Sequence, residues 1–414
     1  MKKWIAMLLV FAMVLPMAAC GKKISAPAAT ETPTAAAPVT EPTTEPTTEP
    51  TTEPTTEPTT EPTTEPTTEP APVYTNPLTG EVVEEPMDQR LFVVSINNLK
   101  DALPHVGVVN ADIYLEMFVN GSIIRGLAMY TDVSQVEAIG SVRSNRMMFN
   151  DIASHYDAVI VHAGGTSQVL NQAGAMGLSH FNIDHWEECN YSFRDQERIQ
   201  ARYSYEHTLF AKGPGLVELA QEKGYAVTRD PEKDYRLTFT EDATPAEGEV
   251  ADTITVTFSY NGSRKDTTME YDPELGEYVY YQYGMKMVDG KTDETESYEN
   301  VIIMMTNISL NGMYHVADFV AGGEGYFACG GKLIPITWEC DRSRNPFRCM
   351  TLDGEPLNFN VGNTYMAIIG MEKERVEWKE VIPPETVPAE TVAETVVETV
   401  PETTAETTQE TAAQ

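Results

Sequence analysis

The sequence predicts an α+β protein in which a mixed α/β domain precedes a β-rich domain, with disordered acidic segments on both sides. Thr-Thr-Glu-Pro repeats fill residues 43–70, and Glu-Thr-Val and Glu-Thr-Thr units fill residues 383–414. Strand and helix patterns mix over residues 74–228, whereas strand patterns dominate residues 248–371. The roughly 300 residues between the acidic segments are enough for two domains with hydrophobic cores.

The first 19 residues have the pattern of a lipoprotein signal peptide. Lys2 and Lys3 precede an uncharged apolar stretch, residues 4–17, and small residues then lead to Cys20. This stretch is shorter than the about 20 residues that a membrane-spanning helix needs. We expect cleavage before Cys20 and acylation of its sulfur, which would anchor the chain to the extracytoplasmic face of a bacterial membrane. An ordinary secretory signal with an incidental cysteine is the alternative.

Residues 20–73 are expected to form the anchor and a stalk. No lysine or arginine occurs between residues 26 and 73. The repeated prolines prevent helix and sheet, and the scarcity of apolar side chains leaves nothing to offset the entropy of ordering. An extended proline-rich chain of about 45 residues would reach roughly 140 Å. We expect a disordered stalk that holds the folded part away from the membrane.

The formal net charge of −35 restricts the partners of the protein. Such acidity argues against nucleic acid and against anionic lipid surfaces, apart from the lipid anchor itself. A cell-wall fragment or an envelope protein remains the expected partner. Residues 383–414 again lack basic residues and are predicted to be a disordered tail.

Within residues 74–228, hydrophobic patterns predict alternating strands and helices. Residues 113–119 and 123–130 are joined by Gly121-Ser122, which indicates a hairpin. Gly224 ends an apolar helical pattern, as glycine commonly does. The predicted strands are residues 91–96, 113–119, 123–130 and 158–161, and the predicted helices are residues 147–155, 167–174 and 213–224.

Within residues 248–371, the patterns predict a strand meander. Residues 253–260 alternate, Asn261-Gly262 is a strong hairpin turn, and residues 267–271 return. Residues 301–306 are continuously apolar, as is typical of a strand buried on both faces. Further strands are predicted at residues 330–338, 350–352 and 365–369.

Four cysteines follow Cys20, and their spacing gives no Cys-x-x-Cys redox or zinc pattern. An exported location permits disulfides. We favour a disulfide among Cys329, Cys340 and Cys349 over free buried thiols, and Cys189 is left without an assigned partner.

The second domain is rich in aromatic residues, which offer two interpretations. Tyr278, Tyr280, Tyr281, Tyr283 and Trp338 could form a sugar-stacking surface. Tyrosines in strands more often pack in the core or across strands, and we favour that interpretation.

A candidate anion-binding site lies in residues 141–170. The predicted strand ending at His162 passes through two glycines into a helix, and helix N-termini attract anions. Arginines can bind carboxylate or phosphate with two hydrogen bonds. The predicted ligand set is Arg143, Arg146, His162, Gly164, Gly165 and Thr166, extended by Arg194, Arg198 and His207.

A purely structural role is the alternative for the same residues. The glycines would then form a steric corner, and Ser167 or Thr166 would cap the helix. The arginines would pair with acidic residues, for which Asp151, Asp157 and Asp195 are available.

An alternative hypothesis is that the protein is an enzyme in which His162 and His207, with Asp195 or Glu206, act as base, orienting group and acid. It would suit a cell-wall hydrolase. The sequence contains no Gly-x-Ser-x-Gly or His-Glu-x-x-His motif, and its seven histidines form no metal-ligand cluster. We therefore favour a binding protein without cofactor or metal over an enzyme, and a non-catalytic interaction scaffold is a third hypothesis.

An ordered set of motifs resembles the YerB-like lipoproteins, which carry the domain of unknown function DUF3048. The motifs are NPLTG at residues 76–80, VVSINN at 93–98, ADIYLE at 111–116, GSVRS at 140–144, YDAVIVHAGG at 156–165, FRD at 193–195, Arg198, EHT at 206–208, GKLIPITW at 331–338, Gly354, Asn360 and Gly362. The resemblance covers the whole region between the acidic segments. It implies an exported α+β lipoprotein and brings no established activity.

The sequence departs from the family pattern at two acidic positions. Asn97 stands where the family usually has aspartate, and Asn120 stands where it favours glutamate. Met147-Met148 also replaces the Pro-Tyr that often follows the arginine at position 146. A chemistry based on those carboxylates is not expected in this chain.

Overall fold

The computed structural model describes residues 73–341, 345–371 and 375–381. The expected signal peptide, the anchor at Cys20, the stalk to residue 72 and the tail from residue 383 lie outside these residues. In the part of the chain that is described, no helix has the length and apolar character needed to cross a bilayer.

The first part of the described chain mixes strands and helices, as its sequence patterns predict. Its strands are β1 (Tyr74–Thr75), β2 (Val82–Val83), β3 (Phe92–Asn97), β4 (Ile113–Asn120), β5 (Ile123–Tyr130), β6 (Ile139–Gly140), β7 (Val159–His162), β8 (His180–Asn182), β9 (Ser192–Arg194) and β10 (Leu209–Ala211). Its helices are α1 (Met147–Tyr156), α2 (Ser167–Met176), α3 (Gln196–Gln200) and α4 (Gly213–Glu222). This confirms the mixed α/β character of the region.

The second part is built from strands. These are β11 (Thr238–Thr240), β12 (Glu249–Val250), β13 (Thr253–Tyr260), β14 (Ser263–Asp272), β15 (Glu277–Gln282), β16 (Met285–Lys286), β17 (Ser297–Tyr298), β18 (Asn300–Thr306), β19 (Ile308–Asn311), β20 (Tyr314–Ala317), β21 (Gly323–Cys329), β22 (Lys332–Glu339), β23 (Arg348–Thr351), β24 (Asn358–Asn360), β25 (Thr364–Gly370) and β26 (Arg375–Lys379). The turn at Asn261-Gly262 joins β13 to β14, with both residues at positive φ, as an Asn-Gly hairpin turn requires.

One large sheet takes strands from both parts of the chain. Its order is β12-β22-β21-β18-β25-β4-β5-β3-β7-β8, with β19, β20 and β23 attached at the side. The junction is β25, which pairs in parallel with β18 on one side and with β4 on the other. Its seven residues are all buried, which explains the continuous apolar run.

Two hydrophobic clusters cover the two faces of this sheet. On one face, β13, β14 and β15 of a six-stranded sheet contribute Val256, Met269 and Tyr280 to a cluster with the central strands. On the other face, α1 contributes Phe149 and Ile152 to a second cluster. The sheet is therefore the middle layer of the fold.

The sheet places several strand ends and helix starts at one edge. Strands β3, β7 and β8 are parallel, so their carboxyl ends at Asn97, His162 and Asn182 lie on the same edge. Helix α2 begins after a short loop that follows β7, and the segment that leads into α1 is hydrogen-bonded to β3 and to this loop. Ligands in sheets of this kind commonly bind at such an edge.

A buried ion pair lies where β4 meets the six-stranded sheet. The ammonium of Lys265 contacts the carboxylate of Glu116, and both side chains are almost fully buried. The Glu116 carboxylate also accepts three hydrogen bonds, from Thr267 at 2.8 Å, from Tyr365 at 2.7 Å and from Asn98 at 2.6 Å. These bonds satisfy the carboxylate and tie the two sheets together.

The prediction of a disulfide among Cys329, Cys340 and Cys349, all of which the structure describes, is wrong. Cys189, Cys329, Cys340 and Cys349 all carry free thiols, and the last three are buried. Burial raises the pKa of each buried thiol to about 12, so these cysteines behave as apolar core residues. Most of the aromatic residues considered for sugar stacking are also core: Tyr278, Tyr280 and Trp338 are at most 2 % exposed.

Candidate anion-binding site

An arginine is buried at this edge of the sheet without a partner for its charge. Arg125 on β5 lies directly opposite Asn97 of β3 and is 1 % exposed. Among the described residues, nothing accepts a hydrogen bond from its Nε or Nη1. Buried arginines are normally paired, because a buried charge without partners is strongly destabilising.

Two further arginines lie close to Arg125. The backbone N–H of Arg143 donates to the carbonyl oxygen of Ser95 on β3, and Arg146 immediately precedes α1. Repulsion from Arg146 and Arg143 adds to burial, the largest cause, in lowering the pKa of Arg125. A guanidinium keeps its proton in proteins, so this shift reports an electrostatic penalty that an anion would relieve.

Glu206 is the acidic side chain that acts on this cluster among the described residues. Its carboxylate accepts a hydrogen bond from Nη2 of Arg143 at 2.8 Å, and the Glu206 side chain is 54 % exposed. The Nε of Arg143 is buried and has no partner in the described part of the chain. Three guanidinium groups therefore face one exposed carboxylate, in a chain that is acidic elsewhere.

Neutral amides occupy the other positions around the arginines. Asn120 accepts a hydrogen bond from Nε of Arg146 at 3.1 Å. The amide of Asn97 donates to Nδ1 of His207 at 2.7 Å, which leaves the ring proton of His207 on Nε2. Burial, the largest cause, lowers the pKa of His207. Neither amide carries a charge that could neutralise the arginines.

The loop between β7 and α2 adds a hydroxyl to the same edge. Thr166 occupies the N-cap position of α2, yet its hydroxyl does not cap the helix and lies 2.6 Å from the hydroxyl of Tyr314. Tyr314 in turn pairs with Asn120, the residue that holds Arg146. Gly165 packs against Leu170, whereas a Cβ on Gly164 would meet nothing within 4 Å. The loop therefore opens to solvent beside the arginines.

His162 is held in a way that leaves no free ring nitrogen for a ligand. Its Nδ1 lies 2.8 Å from the carbonyl oxygen of Gly164, and its Nε2 lies 3.0 Å from Nδ1 of His180, on which it stacks. Burial lowers the pKa of His162 to about 3, with a smaller contribution from His180. The N–H of Gly164 is also engaged, since it donates to Asn182. His162 and Gly164 shape the loop.

The remaining predicted residues lie near the cluster but are engaged elsewhere. Arg198 donates to the carbonyl oxygens of Ala102, Pro104 and His207 and is buried. Asp195 caps α3 by accepting from the N–H of Arg198 and pairs with Lys291. The structure thus brings Arg143, Arg146, Thr166 and His207 to one edge, and it does not join Asp195 to either histidine in a catalytic array.

Arg194 also has its own partners. It donates to the carboxylate of Asp184 at 2.5 Å and lies 4.0 Å from the ring centre of Tyr205. The acidic partners considered for the site arginines pair with other cations: Asp157 with Arg90, and Asp195 with Lys291. Asp157 and Asp195 are thus not the partners of the site arginines, and Arg143 pairs with Glu206 instead.

Sequence reasoning missed Arg125, the most buried member of the cluster. Its signal was an isolated arginine between isoleucines and glycine within a strand pattern that is otherwise apolar. A charge at such a position requires a partner or a ligand.

A separate cleft of about 780 Å³ lies at the C-terminal part of α1. Its lining includes the carboxylates of Asp151, Asp318 and Asp341 and contains no lysine or arginine. An acidic lining does not suit an anion, so this cleft is not part of the candidate site.

Two family models match this chain. One, described as the protein of unknown function (DUF3048) N-terminal domain, matches residues 78–226, and the DUF3048 C-terminal domain matches residues 254–366. The chain belongs to the DUF3048 family. This confirms the resemblance inferred from the motifs. All three arginines and Glu206 lie within the segment that matches the DUF3048 N-terminal domain.

One relative and one solved structure extend the comparison of this DUF3048 chain. The protein named "Putative lipoprotein YerB" from Bacillus subtilis strain 168 is 26 % identical over 299 residues, which cover 71 % of this chain and 85 % of the relative. The crystal structure of YerB protein from Bacillus subtilis matches with a TM-score of 0.63 at 21 % identity, over 73 % of this chain and 99 % of that one. The structural match supports the fold.

Proposed function

We propose that this protein is a membrane-anchored lipoprotein whose folded part binds an anionic ligand of the cell envelope at the arginine cluster. The observation that carries the proposal is Arg125, a buried guanidinium with two unpartnered nitrogen atoms beside Arg143 and Arg146. The start of the ten-residue helix α1 lies next to it and adds a favourable field for negative charge.

The cluster has the properties of a site that is completed by its ligand. A phosphate or carboxylate accepts two hydrogen bonds from one guanidinium, and such charge-assisted bonds are about twice as strong as neutral ones. Nε and Nη1 of Arg125 and Nε of Arg143 are buried donors without a partner among the described residues, so an anion that enters the cluster would supply their missing acceptors. The existing contact of Glu206 with Arg143 supports the proposal, because it places a carboxylate at the open side of the cluster.

Titration calorimetry of the full-length protein with inorganic phosphate and with acetate tests the binding site. We expect saturable binding of at least one anion, with an affinity that falls as sodium chloride is raised. Arg125→Met and Arg143→Gln should each remove binding. Arg264→Gln is the matched control, because Arg264 is half-exposed on the six-stranded sheet and pairs with Asp266. Equal binding by Arg125→Met and the wild type would contradict the proposal.

The anchor is tested separately, since Cys20 lies outside the described residues. Mass spectrometry of the N-terminal peptide from membranes should show cleavage before Cys20 and added acyl mass. Cys20→Ser should release the protein from the membrane fraction while leaving anion binding unchanged. Isolation of an unacylated chain with its leader intact would contradict the anchor.

A further inference from the structure

Two large aromatic side chains are exposed on loops of the region that follows β8, and one of them adjoins the arginine cluster in sequence. Tyr205 is 67 % exposed and Trp186 is 76 % exposed, whereas other large aromatic side chains of the described residues are mostly buried. Tyr205 belongs to the loop between α3 and β10, and Trp186 to the loop between β8 and β9. Exposed aromatic residues near a polar site are a common feature of binding surfaces.

The ring of Tyr205 is held in a fixed position. The guanidinium carbon of Arg194 lies 4.0 Å from the ring centre, and Nη1 of Arg194 donates to the carbonyl oxygen of Tyr205 at 2.8 Å. Asp184 fixes the other end of the Arg194 guanidinium. One face of the ring is therefore occupied by Arg194, and its high exposure leaves the opposite face to solvent.

This ring lies beside the anion site. Tyr205, Glu206 and His207 form one short 3₁₀ turn, and the carboxylate of Glu206 contacts Arg143. Nη1 of Arg143 also approaches the carbonyl oxygen of Glu206 at 3.4 Å. A ligand that replaces the Glu206 carboxylate on Arg143 would thus bind next to the turn that carries the Tyr205 ring.

The surroundings of the ring favour one class of ligand. The groups next to Tyr205 are polar: Arg194, the exposed Ser204 and the carboxylates of Asp184 and Glu206. An exposed tyrosine ring surrounded by polar groups suits a ligand that has an apolar face and polar edges. A sugar ring has this character, because its C–H groups form a face and its hydroxyls surround it.

We infer that the ligand is an anionic saccharide, whose phosphate or carboxylate binds Arg125 and Arg143 while its sugar ring packs on Tyr205. This inference rests on the proposed anion site and names its ligand class. The aromatic contact should contribute about a two- to tenfold gain in affinity over the anion alone.

Titration calorimetry of the full-length protein with paired ligands tests the inference. Glucose 1-phosphate is compared with inorganic phosphate, and glucuronate with acetate, so that the phosphate and carboxylate sources are distinguished. N-acetylalanine represents a peptide carboxylate. We expect one sugar anion to bind more tightly than its sugar-free partner, and Tyr205→Ala to reduce it to the affinity of that partner.

The variants separate this inference from the proposed function. Tyr205→Ala should leave the affinity for inorganic phosphate or acetate unchanged, and Tyr205→Phe should retain the gain for the sugar. Leu275→Ala, at an exposed residue of the turn after β14, is the control for loss of surface apolar area. If phosphate or acetate binds but neither sugar anion binds more tightly than its sugar-free partner, the saccharide inference is wrong and the proposed anion site is retained. The same conclusion follows if N-acetylalanine binds more tightly than both sugar anions. If no anion binds, both are wrong.

Discussion

The guanidinium of Arg143 donates a hydrogen bond to the carboxylate of Glu206 over 2.8 Å, next to the buried and unpartnered Arg125. The Glu206 side chain is 54 % exposed and remains accessible to water, and its Oε1 lies 3.9 Å from Nε2 of His207. A ligand anion would compete with this carboxylate for the same arginine.

Glu206→Gln should therefore strengthen anion binding. Removing one negative charge about 4 Å from the ligand position is worth about 1 kcal/mol in a medium like water, and screening reduces this. We expect a two- to fivefold lower dissociation constant for phosphate, about the factor that this energy corresponds to. Calorimetry at low salt measures it, with Glu187→Gln as the control at another exposed glutamate. Weaker binding by Glu206→Gln would show that Glu206 orients Arg143 for the ligand.

Arg125→Met should make the ligand-free protein more stable while it removes anion binding. Replacing buried ionic groups with apolar side chains of similar volume is often neutral or stabilises a protein by about 1–4 kcal/mol, and Arg125 has no ion-pair partner that the substitution would leave buried. Urea denaturation without added phosphate measures the free energy of unfolding. Arg264→Met should change it by about 0.5 kcal/mol or less, as surface substitutions usually do. A large loss of stability in Arg125→Met would instead indicate a structural role.

The His162–His180 pair should make the protein less stable in acid. Burial lowers the pKa of His162 to about 3 from 6.5, so the unfolded chain binds a proton at a pH where the folded protein does not. The stabilisation is present above pH 6.5 and is lost as the pH falls from there toward 3.

His162→Phe tests this dependence, because it retains an aromatic ring for stacking on His180 and cannot titrate. The slope of unfolding free energy against pH between 6.5 and 4 should be smaller than in the wild type. His185→Phe, at an exposed histidine, should keep the wild-type slope. An unchanged slope in His162→Phe would contradict the assignment.

Lys265→Met should strongly destabilise the fold. The substitution leaves Glu116 buried without its cation, and breaking a buried ion pair from one side costs about 3–5 kcal/mol. The double variant Glu116→Gln/Lys265→Met should recover part of this loss, because Gln keeps hydrogen-bonding groups for Thr267 and Tyr365. Equal unfolding free energies for Lys265→Met and the wild type would argue against a charged pair at this position.

Local sequence patterns predicted most elements of the fold. The alternation of residues 253–260 and the Asn261-Gly262 turn gave the β13–β14 hairpin, and apolar periodicity gave α1, α2 and α4. The parallel pairing of β25 with β4 could not be predicted in this way. Neither strand carries a local signal that names a partner so distant in the chain, since both are simply apolar.

The candidate site could be proposed from the sequence where its residues are close along the chain. Arg143, Arg146 and Thr166 lie in one short segment, which the structure places at one edge of the sheet. Arg125 comes from the preceding hairpin, and only the register of β5 with β3 brings it there. His162 was expected to face a ligand, but as the last residue of a buried strand it packs against His180 instead.

The position of β25 between β18 and β4 has a consequence for how the protein is made. During synthesis, β4 emerges long before residues 364–370, so most of one side of the β4–β5 hairpin has no neighbouring strand until those residues are made. The unpaired N–H and C=O groups of an exposed edge strand can pair with strands of other chains. A premature stop codon or a protease cut ahead of residue 364 would therefore yield an aggregation-prone fragment with an unpaired β4 edge, and not a shorter functional protein.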